Sequence, residues 1–303
     1  MSEAGAATRE PTGERTRRPV GLVVGLVILS VITVVSVGAP VFAPRDPNIE
    51  SIAGLGPQGG PQGPGRVYLL GTDAKGRDVL SRLIYGGRVT FFACVVAVGI
   101  ATLVGLAIGL LAASARPWMG GLLMRITDIG LAIPGLLLAA AMAAVLGPGV
   151  ASLTVALGAV FWAPLARVTY GQAVVIRERQ FVEAARVLGA GSLDIMVREI
   201  VPHVLPVVAA YASLCVGWAA LFESALGFLG VGVQEPTASI GSMIGSGLAY
   251  YRIHPGLIIF PTLYLGVLVT ATTLIGEGLR RPSRRVAAAR RRTAIVELAP
   301  LAR

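Results

Sequence analysis

Six apolar stretches, each close to the length of a membrane-spanning helix, limit what this chain can fold into. They occupy residues 20–43, 90–115, 127–146, 150–166, 204–222 and 257–275. An α-helix needs about 20 residues to cross the ~30 Å of hydrocarbon in a bilayer. Charged residues make up only 14% of the chain and hydrophobic residues 54%, which argues against a single water-soluble core. We therefore predict an all-α membrane protein with six transmembrane helices.

The distribution of positive charge predicts the orientation of these helices. Most of the 26 Lys and Arg residues lie in segments that are cytoplasmic if the N-terminus is inside, namely 1–19, 116–126, 167–203 and 276–303. Segments on the cytoplasmic side of a membrane are enriched in Lys and Arg. We expect a multi-pass protein with both termini in the cytoplasm, and this pattern accounts for the net charge of +10 without nucleic acid binding.

The segments outside the core differ in kind. Residues 1–19 are predicted to be a cytoplasmic tail, and residues 20–43 a first transmembrane helix. That helix is expected to be a retained signal-anchor because its apolar run exceeds that of a secretory signal, and a cleaved signal peptide is the alternative. Residues 44–89 are predicted to be an external loop, flexible at its Gly/Pro/Gln-rich part. A five-helix core follows at 90–275, and then a basic cytoplasmic tail at 276–303.

Residues that could carry out catalysis or hold a cofactor are scarce. Gly71–Asp78 has the two glycines of a phosphate-binding loop, but Arg77 and Asp78 stand where Lys and Ser or Thr are needed. The two histidines, His203 and His254, are predicted to lie on opposite sides of the membrane. We therefore expect no catalytic residue, no metal site and no cofactor bound by this chain.

The segment 167–203, after the fourth apolar run, is the most informative connection. Phe181, Ala185 and Leu188 recur at helical spacing and predict a short helix with one apolar face. Gly189 is expected to end this helix with a positive φ. Ser192 is expected to cap a second helix that ends at Pro202. The alternative is a surface linker that only returns the chain to the membrane.

A family resemblance starts from this segment. Glu183-Ala184-Ala185, followed by Gly189 six residues after the Glu and Pro202 nineteen after it, resembles the EAA loop of bacterial ABC importer permeases. Further segments are similar to the dipeptide/oligopeptide/nickel branch of that family, and they are residues 70–88, 133–138, 146–149 and 228–234. The resemblance covers roughly residues 20–282.

This resemblance implies a type I ABC importer permease of the C-type, with six spans in a bacterial inner membrane. It implies that Glu183, Ala184, Ala185 and Gly189 belong to a cytoplasmic coupling helix that contacts ATPase subunits. The implied partners are a second, B-type permease subunit, two cytoplasmic ATPase subunits and an external substrate-binding protein. ATP and Mg²⁺ would be bound by the ATPase subunits. Short peptides are the implied substrate, although nickel chelates and other solutes remain alternatives.

Two acidic residues near the ends of spans are candidates for the pathway or a gate. Glu223 lies at the outer end of the fifth run and Asp128 near the inner end of the third. A carboxylate at such a position is either functional or a helix-end group that faces water. Cys94 and Cys215 lie inside apolar runs, and we expect free, buried thiols.

Glycine pairs with small-xxx-small spacing occur three times. Gly21/Gly25 and Gly105/Gly109 are expected to allow close helix packing in lipid. Gly241/Gly245 is expected to mark a turn in a loop.

Two other classes of membrane protein are the competing interpretations. A stand-alone secondary transporter or channel predicts paired ionisable residues inside the spans and symmetry between the halves. The predicted spans show neither feature. An intramembrane enzyme is the other alternative.

Overall fold

The computed structural model describes residues 20–280, and all elements of regular secondary structure in this range are helices. Its α-helices are α1 (Val20–Val37), α2 (Ala39–Phe42), α3 (Val79–Ser114), α4 (Pro117–Ala132), α5 (Gly135–Leu146), α6 (Val150–Arg177), α7 (Gln180–Val187), α8 (Ser192–Asp194), α9 (Val201–Phe228), α10 (Ile240–Gly247) and α11 (Gly256–Arg280). A π-helical turn, Ile195–Ile200, joins α8 to α9, and 3₁₀ turns occur at Ile52–Gly54 and Leu248–Tyr250. The predicted tail 1–19 and residues 281–303 of the predicted tail 276–303 lie outside the described residues.

Five helices are long and apolar enough to cross a membrane, and the count rises to six if α4 and α5 together form one span. The all-α membrane fold with six spans is therefore confirmed in its main features. Two boundaries differ from the prediction. Helix α3 begins at Val79, inside the segment 44–89 that was expected to be a loop, and α11 continues to Arg280, past the predicted start of the tail at 276.

The predicted span 127–146 is a bent pair of helices instead of a single rod. Helices α4 and α5 meet at an angle of 85° at the break between Ala132 and Gly135. Pro134 explains the break, since proline has no N–H to donate and disfavours helical geometry in the residue before it. Ile133 accordingly takes an extended conformation, with φ −82° and ψ 127°.

Helix α6 extends well beyond the predicted end of its span at residue 166. It passes through Pro164 and ends at Arg177. Leu165 and Ala166, which follow the proline, are fully buried, and this tertiary packing holds the helix together where one backbone hydrogen bond is lost. As a result Arg167, which was assigned to a cytoplasmic loop, lies within a span-length helix.

Close contact between α3 and α6 forms the centre of the bundle. A Cβ atom at Gly105 would lie 2.7 Å from Cβ of Leu165, and one at Gly109 would lie 2.6 Å from Cβ of Thr169. Helices can approach this closely only where a residue has no side chain. The predicted role of Gly105 and Gly109 in helix packing is confirmed.

Gly21 and Gly25 face α11, as their spacing suggested. A Cβ at Gly25 would lie 2.8 Å from the Ala271 carbonyl oxygen. The prediction for Gly241 and Gly245 was wrong, because both lie in helix α10 and not in a turn. A Cβ at Gly241 would lie 2.7 Å from Cα of Ser224, so α10 packs directly on the backbone of α9.

Residues 54–65 are held by specific hydrogen bonds, which differs from the flexible connection that their composition predicted. The side-chain amide of Gln62 donates to the carbonyls of Ala53 and Leu55, at 3.2 and 2.7 Å. The Thr72 hydroxyl donates to the Gly54 carbonyl at 2.6 Å and accepts from the Gln62 N–H at 2.8 Å. These bonds fold the loop back onto residues near Thr72. Composition alone could not reveal partners that lie up to 18 residues away.

Candidate functional site

The short helix α7 is the element that the sequence singled out, and its C-terminal end is built as predicted. Gly189 has φ +89°. The N–H of Gly189 donates to the Arg186 carbonyl at 3.1 Å, and the N–H of Ala190 donates to the Ala185 carbonyl at 3.0 Å. This pair of bonds is a Schellman motif, which satisfies the last carbonyls of a helix and favours glycine at the position of positive φ. Gly189 therefore sets the direction in which the chain leaves α7.

The buried side of α7 differs from the predicted apolar stripe. Val182 is fully buried, whereas Phe181 and Leu188, from the predicted stripe, are exposed. The Phe181 ring lies against the ring of His203, with centroids 5.0 Å apart. Helix α7 is only 8 residues long and is anchored through its first turn, so the periodicity of the whole helix did not identify the anchor.

The last residue of α7 and the segment after it carry large apolar side chains that the described part of the chain leaves exposed. Val187 is 81% exposed and Leu188 is 87% exposed. Leu193, in the next helix, and Val197 are exposed as well. Several exposed large apolar side chains within eleven residues are typical of a site of contact with another protein or with a membrane. We call Val187, Leu188, Leu193 and Val197 the α7 patch.

The segment after α7 does not stop at Pro202. Ser192 makes no side-chain cap, and the chain passes through the π-helical turn Ile195–Ile200 directly into α9. Pro202 has no N–H to donate, and the backbone accommodates this loss at the π-helical turn directly before it, where the Val201 N–H donates to the Met196 carbonyl. The segment Ser192–Ile200 is thus continuous with the long helix α9, which corrects the predicted helix end.

Helix α7 is also tied closely to α6. Only Glu178 and Arg179 separate the two helices. Arg177, the last residue of α6, donates from Nη1 to the Ala113 carbonyl of α3 at 2.6 Å. Glu183 lines an open groove of about 440 Å³ together with Val174, Arg177, Glu178 and Arg186. A displacement of α7 would consequently be transmitted to α3, α6 and α9 together.

Glu223 lies at the opposite end of the bundle and is fully buried. The alternative that it faces water is wrong. Its Oε2 accepts hydrogen bonds from the Thr90 hydroxyl at 3.0 Å and from the Ser224 hydroxyl at 3.3 Å. The Thr90 oxygen in turn accepts from the Ile240 N–H at 3.1 Å. Glu223 and Thr90 together therefore connect α3, α9 and the first residue of α10. Within residues 20–280, the other carboxylate oxygen of Glu223, Oε1, has no hydrogen-bond partner.

Asp128 pairs with the Arg167 guanidinium, and the two side chains are 43% and 42% exposed. Asp128 lies eleven residues after the start of α4 and Arg167 ten residues before the end of α6. At 1.5 Å per residue, both lie about 15 Å from the α7 end of their helices. Asp128 and Arg167 thus form a charge pair between α4 and α6. The sequence reasoning did not find this pair because α6 was expected to end just before Arg167.

An ion-pair cluster that the sequence reasoning missed fixes the loop before α3. Arg77 Nε binds Asp73 Oδ2 and its Nη2 binds Glu235 Oε1, each at 2.7 Å. Lys75 pairs with Glu235 and, at 3.1 Å, with Glu50. We call these five residues the Arg77 cluster. Since 158 residues separate Arg77 from Glu235, no local pattern could have paired them.

The charges of the Arg77 cluster stabilise one another. Hydrogen bonds from Arg77 and Lys75 lower the pKa of Glu235 to about 2. Burial opposes the charge on Arg77, but its bonds to Glu235 and Asp73 outweigh burial and raise the pKa of Arg77. Bonds to Glu235 and Glu50 likewise raise the pKa of Lys75. These charge-assisted bonds join the loop before α3 to the loop between α9 and α10.

Comparison with known proteins gives a consistent result. The sequence profile of the family described as "Binding-protein-dependent transport system inner membrane component" matches residues 105–284. The chain is 34% identical over 261 residues to the dipeptide transport system permease protein DppC of Haemophilus influenzae, covering 86% of this chain and 88% of that one. It is 37% identical over 262 residues to the di/tripeptide transport system permease protein DppC of Pseudomonas aeruginosa, covering 86% of each.

One solved structure supports the fold. The chain superposes on a subunit of the inward-facing MetNI methionine ABC transporter with a TM-score of 0.53, over 66% of this chain and 96% of the other. The sequence identity is 20%, so this likeness is evidence for the fold alone.

Proposed function

The chain belongs to the family of binding-protein-dependent transport system inner membrane components, and we propose that it is the permease subunit of an ATP-driven importer of short peptides. It is a multi-pass membrane protein and a transport subunit, not an enzyme. The observation that carries the peptide assignment is its identity of 34% and 37% to permeases named for dipeptide and di/tripeptide transport.

We propose that α7 is the coupling helix, and that Glu183, Ala184, Ala185 and Gly189 set its contact with an ATPase subunit. The exposed α7 patch supports this role, since its apolar side chains would be covered by the partner. Movement of the ATPase would push α7, and the short connections to α6 and α9 would carry the displacement to the spans. Such rigid-body motion is a common way for a protein to switch between two conformations.

The assembly that this role requires contains a second permease and ATPase subunits. We propose that the second permease is of the related B-type, that the ATPases number two, and that an external binding protein delivers the substrate. ATP and Mg²⁺ would be bound by the ATPases, with no cofactor on this chain. In this assembly residues 1–19 would be a cytoplasmic tail, 20–43 the membrane anchor and 44–89 the external loop. The core would comprise 90–275, including the coupling loop 167–203, and the basic tail would follow at 276–303.

Glu223 is proposed to act in the outer gate. It holds Thr90 of α3 and, through Thr90, the start of α10. When the outer end of the pathway opens, α3, α9 and α10 would either lose these hydrogen bonds and separate, or keep them and move as one body. An aligned pair of bonds of this kind favours a single closed arrangement, because a buried carboxylate without donors is costly.

Co-purification and uptake test the function directly. The tagged chain, extracted from its own membrane in mild detergent, should carry a second permease and ATPases that mass spectrometry identifies. Liposomes with this complex and the binding protein should accumulate radiolabelled alanine dipeptides and tripeptides only when ATP is present. Uptake by this chain alone, without ATP, would instead establish a stand-alone transporter.

The orientation is testable with thiol labelling, since Cys94 and Cys215 are both buried and give little background. Leu188→Cys, produced without the ATPase subunits that would cover it, should react with a membrane-impermeant maleimide in inside-out vesicles and not in intact spheroplasts. Ile52→Cys is the matched control because Ile52 is also highly exposed but lies near the other end of the bundle. It should show the reverse pattern. Labelling of Leu188→Cys in intact spheroplasts would contradict both the orientation and the coupling role.

A further inference from the structure

The ion pair between Asp128 and Arg167 joins α4, one half of the bent pair of helices, to α6, a candidate membrane span, yet both side chains are more than 40% exposed. Charged side chains inside a membrane are costly when they face lipid, so they almost always face the interior of a bundle or a water-filled cavity. The exposed side of this pair must therefore face water or protein in the assembled importer.

The hydrogen-bonding capacity of the pair favours water. A guanidinium carries five N–H donors and a carboxylate accepts at about four positions. Within residues 20–280, Arg167 and Asp128 are each other's polar partners and neither makes a further side-chain hydrogen bond. An apolar protein surface would leave the remaining donors and acceptors unsatisfied, which costs free energy.

The surroundings of the pair leave room on the exposed side. Gly171 follows Arg167 by one helical turn, and no atom lies within 4 Å of the position where its Cβ would stand. Gly130, two residues after Asp128, packs closely on α6 instead, with its Cβ position 3.3 Å from the indole of Trp162. Open space therefore adjoins Arg167 along its own face of α6.

We propose that Asp128 and Arg167 line the water-filled pathway and contact the charged ends of a passing peptide. The guanidinium would bind the terminal carboxylate in a charge-assisted pair, and the Asp128 carboxylate would bind the terminal ammonium. Between transport events the two side chains neutralise each other, so that the empty pathway exposes no unpaired charge. The peptide part rests on the proposed function, whereas access to water does not.

Access to water is tested by labelling Asp128→Cys in the assembled importer. The probe is 2-sulfonatoethyl methanethiosulfonate, whose negative charge suits the unpaired Arg167. Ile129→Cys is the matched control, since Ile129 is the next residue and is more exposed, but points about 100° away around the helix. We expect fast labelling at position 128 and slow labelling at position 129. No labelling at position 128 in the assembled importer would overturn the proposal.

Contact with peptide is tested in the same complex. A mixture of alanine dipeptides, tripeptides and tetrapeptides, added with ATP and the binding protein, should slow labelling of Asp128→Cys several-fold. Arg167→Gln should lower the maximal rate of peptide uptake several-fold, and Arg167→Lys should restore part of it, while both complexes keep their ATPase subunits. Unchanged labelling and uptake in an importer that transports these peptides would refute the contact. Failure of the wild-type complex to take up any of them would refute the proposed substrate, and the peptide contact with it, while labelling still decides access to water.

Discussion

The Thr90 hydroxyl donates a hydrogen bond of 3.0 Å to Glu223 Oε2 across 133 residues of sequence. The same hydroxyl oxygen accepts the Ile240 N–H at 3.1 Å. One side chain of α3 thus joins a buried carboxylate of α9 to the first turn of α10. This arrangement places the three elements in a fixed relationship at the end of the bundle opposite α7.

Thr90→Val should destabilise this junction. Valine keeps the shape of threonine but removes one donor to Glu223 and the acceptor for Ile240, which costs about 1–3 kcal/mol when buried polar groups are left unpaired. Thermal unfolding in detergent measures the change. Thr102→Val, also in α3, is the control because the Thr102 hydroxyl bonds only to Val98 of its own helix. Equal melting temperatures for the two variants would contradict the role of Thr90.

Val182 and Val187 should affect different properties, although both are valines of α7. Val182→Ala removes a fully buried anchor and should lower the melting temperature of the permease. Val187→Ala changes a residue that is 81% exposed, so it should leave the melting temperature unchanged and reduce the amount of ATPase that co-purifies. The two readouts are measured on the same preparations. If Val182→Ala reduced the co-purified ATPase without lowering the melting temperature, Val182 would not be the anchor of α7.

Gly189→Val should impair coupling without preventing insertion into the membrane. A β-branched residue at φ +89° is strained by about 1–2 kcal/mol, and relief of that strain would redirect the chain after α7. We expect a several-fold loss of peptide-stimulated ATP hydrolysis in liposomes. Gly191→Val is the control, since Gly191 has φ −69° and no atom near its Cβ position. Full stimulation in Gly189→Val would show that the direction of the chain there is unimportant.

Gly105→Ala should lower stability, whereas Gly99→Ala should not. Both glycines lie in α3, but a Cβ at Gly105 would lie 2.7 Å from Cβ of Leu165 and a Cβ at Gly99 would meet no atom within 4 Å. The alanine at position 99 gains helix propensity of roughly 0.5–1 kcal/mol, and the one at position 105 forces α3 and α6 apart. Thermal unfolding of both variants decides the matter. Similar shifts would mean that close α3–α6 contact is dispensable.

The Arg77 cluster should contribute to stability in a pH-dependent way. Binding to Arg77 and Lys75 lowers the pKa of Glu235 from its ordinary value of 4.5 to about 2. A lowered pKa means that the contribution is present above the ordinary value and disappears as pH falls through about 2. The difference in melting temperature between the protein and Glu235→Gln should therefore be constant from neutral pH down to about pH 5 and vanish near pH 2. A difference that is unchanged at pH 2 would exclude an ionic origin.

The amino-acid sequence by itself determined the class of the molecule and the position of α7, the helix that we propose couples to the ATPase. The length of the apolar runs predicts the spans because hydrocarbon thickness fixes helix length. The end of α7 at Gly189 was equally readable, since a helix end depends on the backbone preference of a single residue. Signals of this kind depend only on neighbouring residues, so they can be recognised without knowing how the rest of the chain packs.

Tertiary structure decided the properties that depend on distant partners. The burial of Glu223 follows from Thr90 and α10, and the low pKa of Glu235 follows from Arg77. Val182, not the predicted apolar stripe, became the anchor of α7 because α7 meets its neighbours through its first turn. The extension of α6 past Pro164 placed Arg167 beside Asp128. Each outcome rests on contacts between segments that are far apart in the sequence. A local sequence pattern carries no information about which distant segments pack together.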